Sequence, residues 1–504
     1  MGTVEIDGSS LTLDTAVAIS RGNLQAVLSE DSKRNMQMSK NAVDSIIASN
    51  KVVYGINTGF GAMSSVKIEA DQLEELQLNL IRSHACGVGE RMNPEHVLLM
   101  MLIRANSLSK GVSGARPEIV ELMLSMINNR IAPVVPRIGS LGASGDLAPL
   151  SHMALSMIGE GECSVQIDGQ WEIFPSSDAL GDSDLEPLKL EAKEGLSLIN
   201  GTSQMCAYLT LSIINMEALL MAADFAVACS LEAVKGLHDP FDHRIHEVRP
   251  HNGQIVSATR IRQLLSGSAI DTISTNRVQD AYCFRCSPQV HGPVIDLLIN
   301  SRRMLEIEIN SATDNPLVFV DDDINIISGG NFHGQNLALA SDYMAIACHE
   351  LASISERRVN KIMNPQLTGF GAFLANKEGL ESGLMIVHYV SAALISELHL
   401  LSNPTTVSNI PVSLDKEDHV SMGATGTFRT FKSTSLLAQV LANELICASE
   451  ALNRITEYPG KGVREIHNWI SKKVAPLTAD RMMTGDCETL ANLLLDGDHV
   501  SIFG

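Results

Sequence analysis

Apolar and polar positions alternate over short stretches in the first third of the chain. Residues 3–6 and 11–13 show this two-residue period and are predicted to be strands. Residues 164–174 predict a hairpin with an Asp-Gly turn, and residues 317–327 predict a second hairpin-like insertion. These short predicted strands indicate that the N-terminal part of the chain is a mixed α/β structure.

From about residue 203 the apolar runs become much longer. Residues 204–235 form a long apolar stretch that Glu217, Asp224 and Glu232 interrupt. These acids lie on one side of a helix because they are seven and eight residues apart. Three acids in one membrane span would be costly, so this segment is better explained as a long helix of a soluble bundle. Similar helical patterns run over about 336–362, 383–401 and 432–458.

These patterns predict a mainly α fold, in which a long antiparallel helical bundle is combined with a mixed α/β N-terminal part. We expect residues 1–110 to form the mixed part and residues 111–504 to form the mainly helical part.

Composition and charge narrow the class of protein. The chain has 504 residues, of which 58 are acidic and 37 basic, and its net charge of −21 argues against a nucleic-acid or anionic-membrane partner. The N-terminus lacks a basic stretch followed by an apolar core, so we expect no secretory signal. Nine scattered cysteines are unlike a disulfide framework. We therefore predict a cytoplasmic protein.

Two groups of residues could suggest a metal site. Cys283 and Cys286 form a close pair, but no second pair follows to complete a zinc site. Four histidines are clustered within fourteen residues, but Asp239-Pro240 interrupts any helix there, and their rings need not converge. These four are His238, His243, His246 and His251. We predict no bound metal.

The most informative segment is GSLGASGDLAPLSHM, which begins at Gly139. Helical spacing of the apolar residues that follow predicts a helix beginning at Asp146, with Pro149 in its first turn, where a missing N–H does little harm. Ala143, Ser144 and Gly145 then lie in a tight loop at a helix N-terminus. On these residues alone, a structural glycine turn or an anion-binding nest is equally possible.

In its full context this segment resembles the signature of the aromatic amino acid ammonia-lyases and aminomutases. The resemblance implies that Ala143-Ser144-Gly145 cyclises without help to 4-methylidene-imidazol-5-one (MIO), and that no external cofactor is needed. Gly145 would supply an unhindered amide nitrogen. Ser144 would supply the hydroxyl whose loss creates the methylidene.

Further segments resemble the same family in the same order. Tyr54, in a Gly-rich loop without phosphate-binding spacing, is implied to be the base that removes the β-proton, and we expect its pKa to be lowered. Asn200, in Asn-Gly-Thr, would contact the amino acid and the MIO. Phe332 would pack over the MIO or the substrate ring.

A block that begins at Gln279 supplies three more residues by resemblance. Gln279 and Tyr282 would lie beside the MIO. Arg285 is the natural bidentate clamp for a substrate carboxylate.

Two positions bear on the substrate. Ser83-His84 matches the pair in histidine-directed members, whereas tyrosine- and phenylalanine-directed members have His-Leu or Phe-Leu. Glu417, in Glu-Asp-His-Val-Ser-Met, also matches histidine-directed members and could accept a hydrogen bond from an imidazole. Lys416 replaces an expected Gln, and residues 408–415 match the family only loosely.

The resemblance thus implies non-oxidative deamination of L-histidine to trans-urocanate, the first step of histidine degradation, by a homotetramer whose subunits share active sites. The alternative is a tyrosine or phenylalanine ammonia-lyase or 2,3-aminomutase of the same family. A fumarase-type lyase would need a Gly-Ser-Ser loop motif that the sequence lacks, and an inactive helical interaction protein would not need the whole set of site residues.

Overall fold

The computed structural model describes residues 2–49, 51–59, 61–63, 66–270 and 278–502. The helices of these residues are α1 (Leu13–Ser20), α2 (Glu30–Ala48), α3 (Leu73–His84), α4 (Pro94–Leu108), α5 (Pro117–Asn128), α6 (Leu147–Met157), α7 (Ser176–Gly181), α8 (Glu194–Ile199), α9 (Ser203–Ala233), α10 (His243–Glu247), α11 (Asn252–Leu264), α12 (Tyr282–Arg285), α13 (Ser287–Glu308), α14 (Gln335–Ile362), α15 (Pro365–Thr368), α16 (Met385–Leu401), α17 (Gly423–Leu452), α18 (Lys461–Ser471) and α19 (Thr484–Leu495). The strands are β1 (Gly2–Ile6), β2 (Leu24–Leu28), β3 (Val88–Arg91), β4 (Ile131–Pro133), β5 (Pro136–Ile138), β6 (Glu162–Ile167), β7 (Gln170–Pro175), β8 (Leu317–Val320) and β9 (Ile324–Ile327). The mainly α prediction is confirmed.

The chain divides into two compact units. The first comprises Met1–Leu211, Arg303–Ser341 and Pro404–Phe428, and the second comprises Ser212–Arg302, Asp342–Asn403 and Arg429–Gly504. The predicted division at residue 110 stays a prediction.

The first unit contains every strand of the described residues, in four small sheets. β1 pairs in parallel with β2, β3 pairs with β5, β4-β6-β7 form an antiparallel sheet, and β8 pairs with β9. Both predicted hairpins are present, and the first turns through Asp168 and Gly169, which both have positive φ as a type I′ turn requires.

The predicted strand at residues 11–13 is wrong. Leu13 is the first residue of α1, because the Thr12 side chain accepts a hydrogen bond from the backbone N–H of Thr15 and caps the helix. The alternation of three residues was too short to outweigh this cap.

In the second unit, the described residues form helices and no strands. The buried acids of its long helices lie in polar networks, which explains how apolar helices tolerate them. Asp224 of α9 accepts hydrogen bonds from Ser257 and Arg260 and lies 2.8 Å from the His291 ring. Glu444 of α17 accepts from the Arg358 guanidinium at 2.5 and 2.8 Å.

Two long helices, α9 and α17, are apolar enough to cross a membrane by length and composition alone. However, 78% of the most apolar window of α9 and 83% of that of α17 are buried inside the protein. Their apolar side chains therefore pack within the fold. The predicted bounds of α17 were 432–458, but the helix begins at Gly423 and ends at Leu452.

Candidate active site

The Ala143-Ser144-Gly145 loop is held against the turn between α8 and α9. The side-chain amide of Asn200 donates to the Ser144 carbonyl oxygen at 2.8 Å, and the Asp146 backbone N–H donates to the Gly201 carbonyl oxygen at 2.7 Å. Gly145 has φ of +75°, and a Cβ there would overlap the backbone of Gly201. Only glycine fits at this position, for reasons of both conformation and space.

Asp146 lies at the predicted helix start, but its side chain does not cap α6. The buried carboxylate instead accepts hydrogen bonds from the backbone N–H groups of Gln204 and Met205, at 2.8 and 3.1 Å, in the first turn of α9. It also accepts from the Ser140 hydroxyl at 2.8 Å. Asp146 thus fastens the loop that precedes α6 to the N-terminus of α9.

Burial raises the pKa of Asp146 to about 6, against the lowering effect of its hydrogen bonds to Met205, Ser140 and Gln204. Because the folded-state pKa is raised, the associated stability is complete below the unfolded pKa near 3.8 and is lost as the pH rises through about 6. We expect the free energy of unfolding of wild type relative to Asp146→Asn to fall by about 3 kcal/mol between pH 3.5 and pH 7. Denaturant unfolding of both proteins across this range measures the difference, and a constant difference would contradict it.

Beside the loop is a cavity of about 490 Å³. It brings together six predicted site residues, each from a different segment of the first unit. Those lining it are Tyr54, His84, Ser144, Asn200, Phe332 and Glu417.

His84, at the end of α3, presents a hydrogen-bond acceptor in this cavity. Its Nδ1 lies 2.9 Å from the Leu80 carbonyl oxygen and 3.0 Å from the Ser83 hydroxyl, which itself donates to Leu80. A carbonyl oxygen can only accept and this hydroxyl is free to accept, so both contacts are satisfied by the tautomer that has the proton on Nδ1 and a lone pair on Nε2. Burial lowers the pKa of His84, against the raising effects of its hydrogen bond to Leu80 and of the Glu417 charge. The ring is therefore neutral at neutral pH.

Glu417 lines the cavity at the end of a tight loop. Val412 and Glu417 exchange backbone hydrogen bonds of 3.1 and 3.3 Å, and the three residues Ser413, Leu414 and Asp415 all have positive φ. This left-handed turn lies where the sequence matches the family loosely. None of the three is glycine, so no turn signal was visible in the sequence.

The expected lowering of the Tyr54 pKa is wrong for the isolated chain. Burial raises the pKa of Tyr54, the charge of Glu417 raises it further, and a hydrogen bond with the backbone of Gly61 lowers it. The expectation relied on cations, but no Lys or Arg is among the described residues that line the cavity.

Phe332 lines the cavity from a loop that is tied to the Glu417 segment. The neighbouring His333 lies with Nε2 3.0 Å from the His419 carbonyl oxygen. The Ser421 hydroxyl donates to the Gly142 carbonyl oxygen at 2.8 Å, which connects this segment to the loop of Ser144.

Five predicted site residues do not line the cavity, of which Ala143 and Gly145 flank Ser144 in its loop and the other three lie elsewhere. Gln279, Tyr282 and Arg285 belong to the second unit, where Gln279 is exposed and Tyr282 is 69% exposed. The Arg285 guanidinium carbon lies 4.5 Å from the centre of the Tyr282 ring.

Much of the cavity wall is formed by residues that no motif in the sequence had indicated. The missed lining residues include Leu76, Asn79, Leu80, Leu196, Ile199, Asn315 and Ser413. A signal existed for part of this set, because Leu76, Leu80 and His84 are four residues apart along α3 and share one helix face. Asn315 had no such signal, since it is brought to the cavity from a loop more than two hundred residues away.

We predicted that neither the Cys283–Cys286 pair nor the histidine cluster binds a metal, and both statements stay predictions. In the part of the chain that the structure describes, no three His, Cys, Asp or Glu side chains are grouped to hold a metal ion. His246, from the histidine cluster, instead contacts Pro240 and Gln254 at 3.1 and 2.9 Å.

Comparison with known proteins identifies the class. Residues 11–472 match the model of the aromatic amino acid lyase family. The chain is 45% identical over 499 residues to a histidine ammonia-lyase of Caldanaerobacter subterraneus subsp. tengcongensis, covering 99% of this chain and 97% of that one. The structure resembles those of histidine ammonia-lyase from Trypanosoma cruzi (TM-score 0.92, 37% identity, covering 99% and 94% of the two chains) and tyrosine aminomutase from Streptomyces globisporus (TM-score 0.92, 34% identity, 99% and 98%).

The chain therefore belongs to the aromatic amino acid lyase family. Within that family it is an ammonia-lyase, whose substrate is an amino acid.

Proposed function

We propose that the protein removes ammonia from L-histidine to give trans-urocanate, the first step of histidine degradation, in the cytoplasm. The observation that carries this proposal is that His84 and Glu417, more than three hundred residues apart in the chain, line the same cavity as Tyr54 and Ser144. The histidine ammonia-lyase names of the relatives support it.

The cavity suits an imidazole better than a phenyl ring. The lone pair on His84 Nε2 and the Glu417 carboxylate are both acceptors, and an imidazole N–H satisfies such a group. A phenyl ring would leave both acceptors desolvated without a partner, which costs affinity. Glu417 and His84 are thus proposed to orient the ring.

The residues around Ser144 fit the MIO group. Gly145 lies in a space that a side chain would fill, and the buried Oδ1 of Asn200 has no hydrogen-bond partner among the described residues. When formed from Ala143-Ser144-Gly145, the group supplies the electrophile that activates the substrate amine for departure. Asn200 holds the loop through the Ser144 carbonyl, and Tyr54 is placed to take the β-proton.

We propose that a second copy of the chain supplies Arg285, together with Gln279 and Tyr282. A substrate carboxylate needs a cation, and the described lining of the cavity has none. A cation beside Tyr54 would also oppose the raised pKa of its hydroxyl. Exposed apolar side chains on α16, namely Ile386, Tyr389, Val390 and Leu400, support association into a homotetramer.

Mixing two inactive variants tests this shared site. Ser144→Ala and Arg285→Met are each expected to be inactive, but co-expressed chains should regain part of the activity, because some sites combine Ser144 of one chain with Arg285 of another. Ammonia release by purified mixed oligomers measures the recovery.

The matched control is a mixture of Ser144→Ala with Tyr54→Phe. Ser144 and Tyr54 line one cavity within a single chain, so no site in this mixture has both residues intact. Equal recovery in both mixtures, or none in the first, would rule out the shared arrangement.

Substitution of Glu417 tests the choice of substrate. Glu417→Gln should lower kcat/KM for L-histidine by about 10- to 100-fold, because a charged hydrogen bond contributes about 1.5–3 kcal/mol. Urocanate absorbance measures the rate, and Glu75→Gln on the exposed side of α3 is the charge-matched control.

Other outcomes distinguish the alternatives. Wild-type turnover of L-tyrosine or L-phenylalanine equal to that of L-histidine would refute the proposed specificity. A product with the unchanged mass of the substrate would identify an aminomutase, because elimination loses ammonia.

A further inference from the structure

Arg104 of α4 is a buried cation that the proposed mechanism does not use. Its side chain has no solvent exposure, and every residue of α4 from Val97 to Leu108 is buried. Nε donates to the Ser197 carbonyl oxygen at 2.9 Å, Nη2 donates to the same oxygen, and Nη1 lies 3.4 Å from the Thr313 hydroxyl.

No carboxylate is hydrogen-bonded to Arg104 among the described residues. The nearby Asp314 carboxylate instead accepts from Lys193 Nζ at 2.7 Å, and both of these side chains are fully buried. Burial lowers the pKa of Arg104 to about 10, so the guanidinium stays charged at neutral pH. Burying a cation without a hydrogen-bonded carboxylate is costly, and the charge of Asp314 offsets only part of that cost.

The position of Arg104 is directly behind Gly201. A Cβ on Gly201 would overlap Nη1 of Arg104 and would lie 2.9 Å from the Thr313 hydroxyl. Gly201 does not have positive φ, so the lack of a side chain is required by this contact and not by the backbone conformation. The guanidinium occupies the space of the missing side chain.

The other side of Gly201 contacts the loop. Gly145 and Gly201 form an isolated parallel bridge, and a Cβ on Gly145 would overlap Gly201. Gly201 therefore lies between Arg104 on one side and Gly145 on the other.

We propose that Arg104 is a positioning residue for the self-cyclisation of the loop, acting through Gly201. This proposal rests on the proposed formation of MIO. In that reaction the Gly145 nitrogen bonds to the Ala143 carbonyl carbon. One water leaves with the Ala143 oxygen and the amide hydrogens of Ser144 and Gly145, and a second leaves with the Ser144 hydroxyl and its α-hydrogen.

Ring closure requires the nitrogen and the carbon to be held within reach, and a displacement of about 1 Å can cost about a hundredfold in rate. Arg104→Met keeps the aliphatic stem and removes the planar donor group. We expect the folded variant to lose two waters about a hundredfold more slowly than wild type. Mass spectrometry of the denatured chain, sampled over time after purification, measures this loss independently of enzyme activity.

A second pair of variants covers the case in which Arg104→Met does not fold. Gly201→Ala should slow the mass loss because its methyl group displaces the guanidinium. Arg104→Lys has a narrower head and keeps the charge, so the double variant Arg104→Lys/Gly201→Ala should mature faster than Gly201→Ala alone. If Arg104 were merely structural, these variants would differ in stability to denaturant but not in the rate at which the two waters are lost.

The control is Arg130→Met in the same unit, whose guanidinium contacts Gln166 and the Trp171 ring and not the loop. It should mature at the wild-type rate even if its stability falls. Wild-type maturation in Arg104→Met, or an equal effect of Gly201→Ala in both backgrounds, would overturn the role of Arg104. Absence of the mass loss in wild type would instead overturn MIO formation itself.

Discussion

Replacing Ser144 by alanine is expected to lower ammonia release from L-histidine by about a thousandfold or more, which corresponds to at least about 4 kcal/mol in the barrier. The Ser144 hydroxyl is the group whose loss creates the electrophile, and alanine has no equivalent leaving group. The fold should survive, because Asn200 binds the backbone carbonyl of Ser144 and not its side chain. Urocanate absorbance gives the rate, and the intact mass should show no loss of a second water, because alanine has no hydroxyl to lose.

Ser151→Ala is the matched control for this substitution. The Ser151 hydroxyl donates to the Leu147 carbonyl oxygen within α6, seven residues after Ser144, and Ser151 does not line the cavity. This variant should lose two waters and turn over L-histidine at a rate close to that of wild type. Undiminished turnover by Ser144→Ala would show that the loop is not the electrophile.

The sequence predicted the long helices well because their apolar period extends over many turns. α14 begins one residue before its predicted start and ends at the predicted residue. The predicted start of α17, residue 432, lies after its observed start at Gly423. The Gly, Thr and Ser residues that open this helix resemble a loop, and its helical form depends on the burial of Ala424 and Thr427. Local propensity could not reveal that burial.

The candidate site was predictable where a motif carried it and unpredictable where distant backbone contacts built it. The Asn-Gly-Thr residues could be named from the sequence. The hydrogen bonds from the N-terminus of α9 to the Asp146 carboxylate could not be predicted, because an acid that precedes a helix ordinarily caps that same helix. The raised Tyr54 pKa was also beyond sequence reasoning. It depends on burial and on Glu417, which is brought close only by folding.

Removal of the Tyr54 hydroxyl tests the proposed base. Tyr54→Phe should lower kcat by about 10²- to 10⁴-fold, the usual contribution of a positioned general base. Phenylalanine keeps the ring that fills the cavity wall, so the intact mass should still show the loss of two waters. A variant with wild-type kcat would exclude Tyr54 as the base.

The pH dependence gives a second and more specific test of Tyr54. A general base acts when deprotonated, and burial together with the Glu417 charge raises the pKa of this hydroxyl. The kcat/KM of wild type should therefore rise with pH on the alkaline side, and this rise should be absent in Tyr54→Phe. Glu417→Gln removes one of the raising charges, so its alkaline rise should move to lower pH even though its absolute rate is reduced, whereas Glu75→Gln should leave the profile unchanged. An alkaline rise that persists in Tyr54→Phe would assign the titration to another group, and one that fails to move in Glu417→Gln would show that Glu417 does not act on Tyr54.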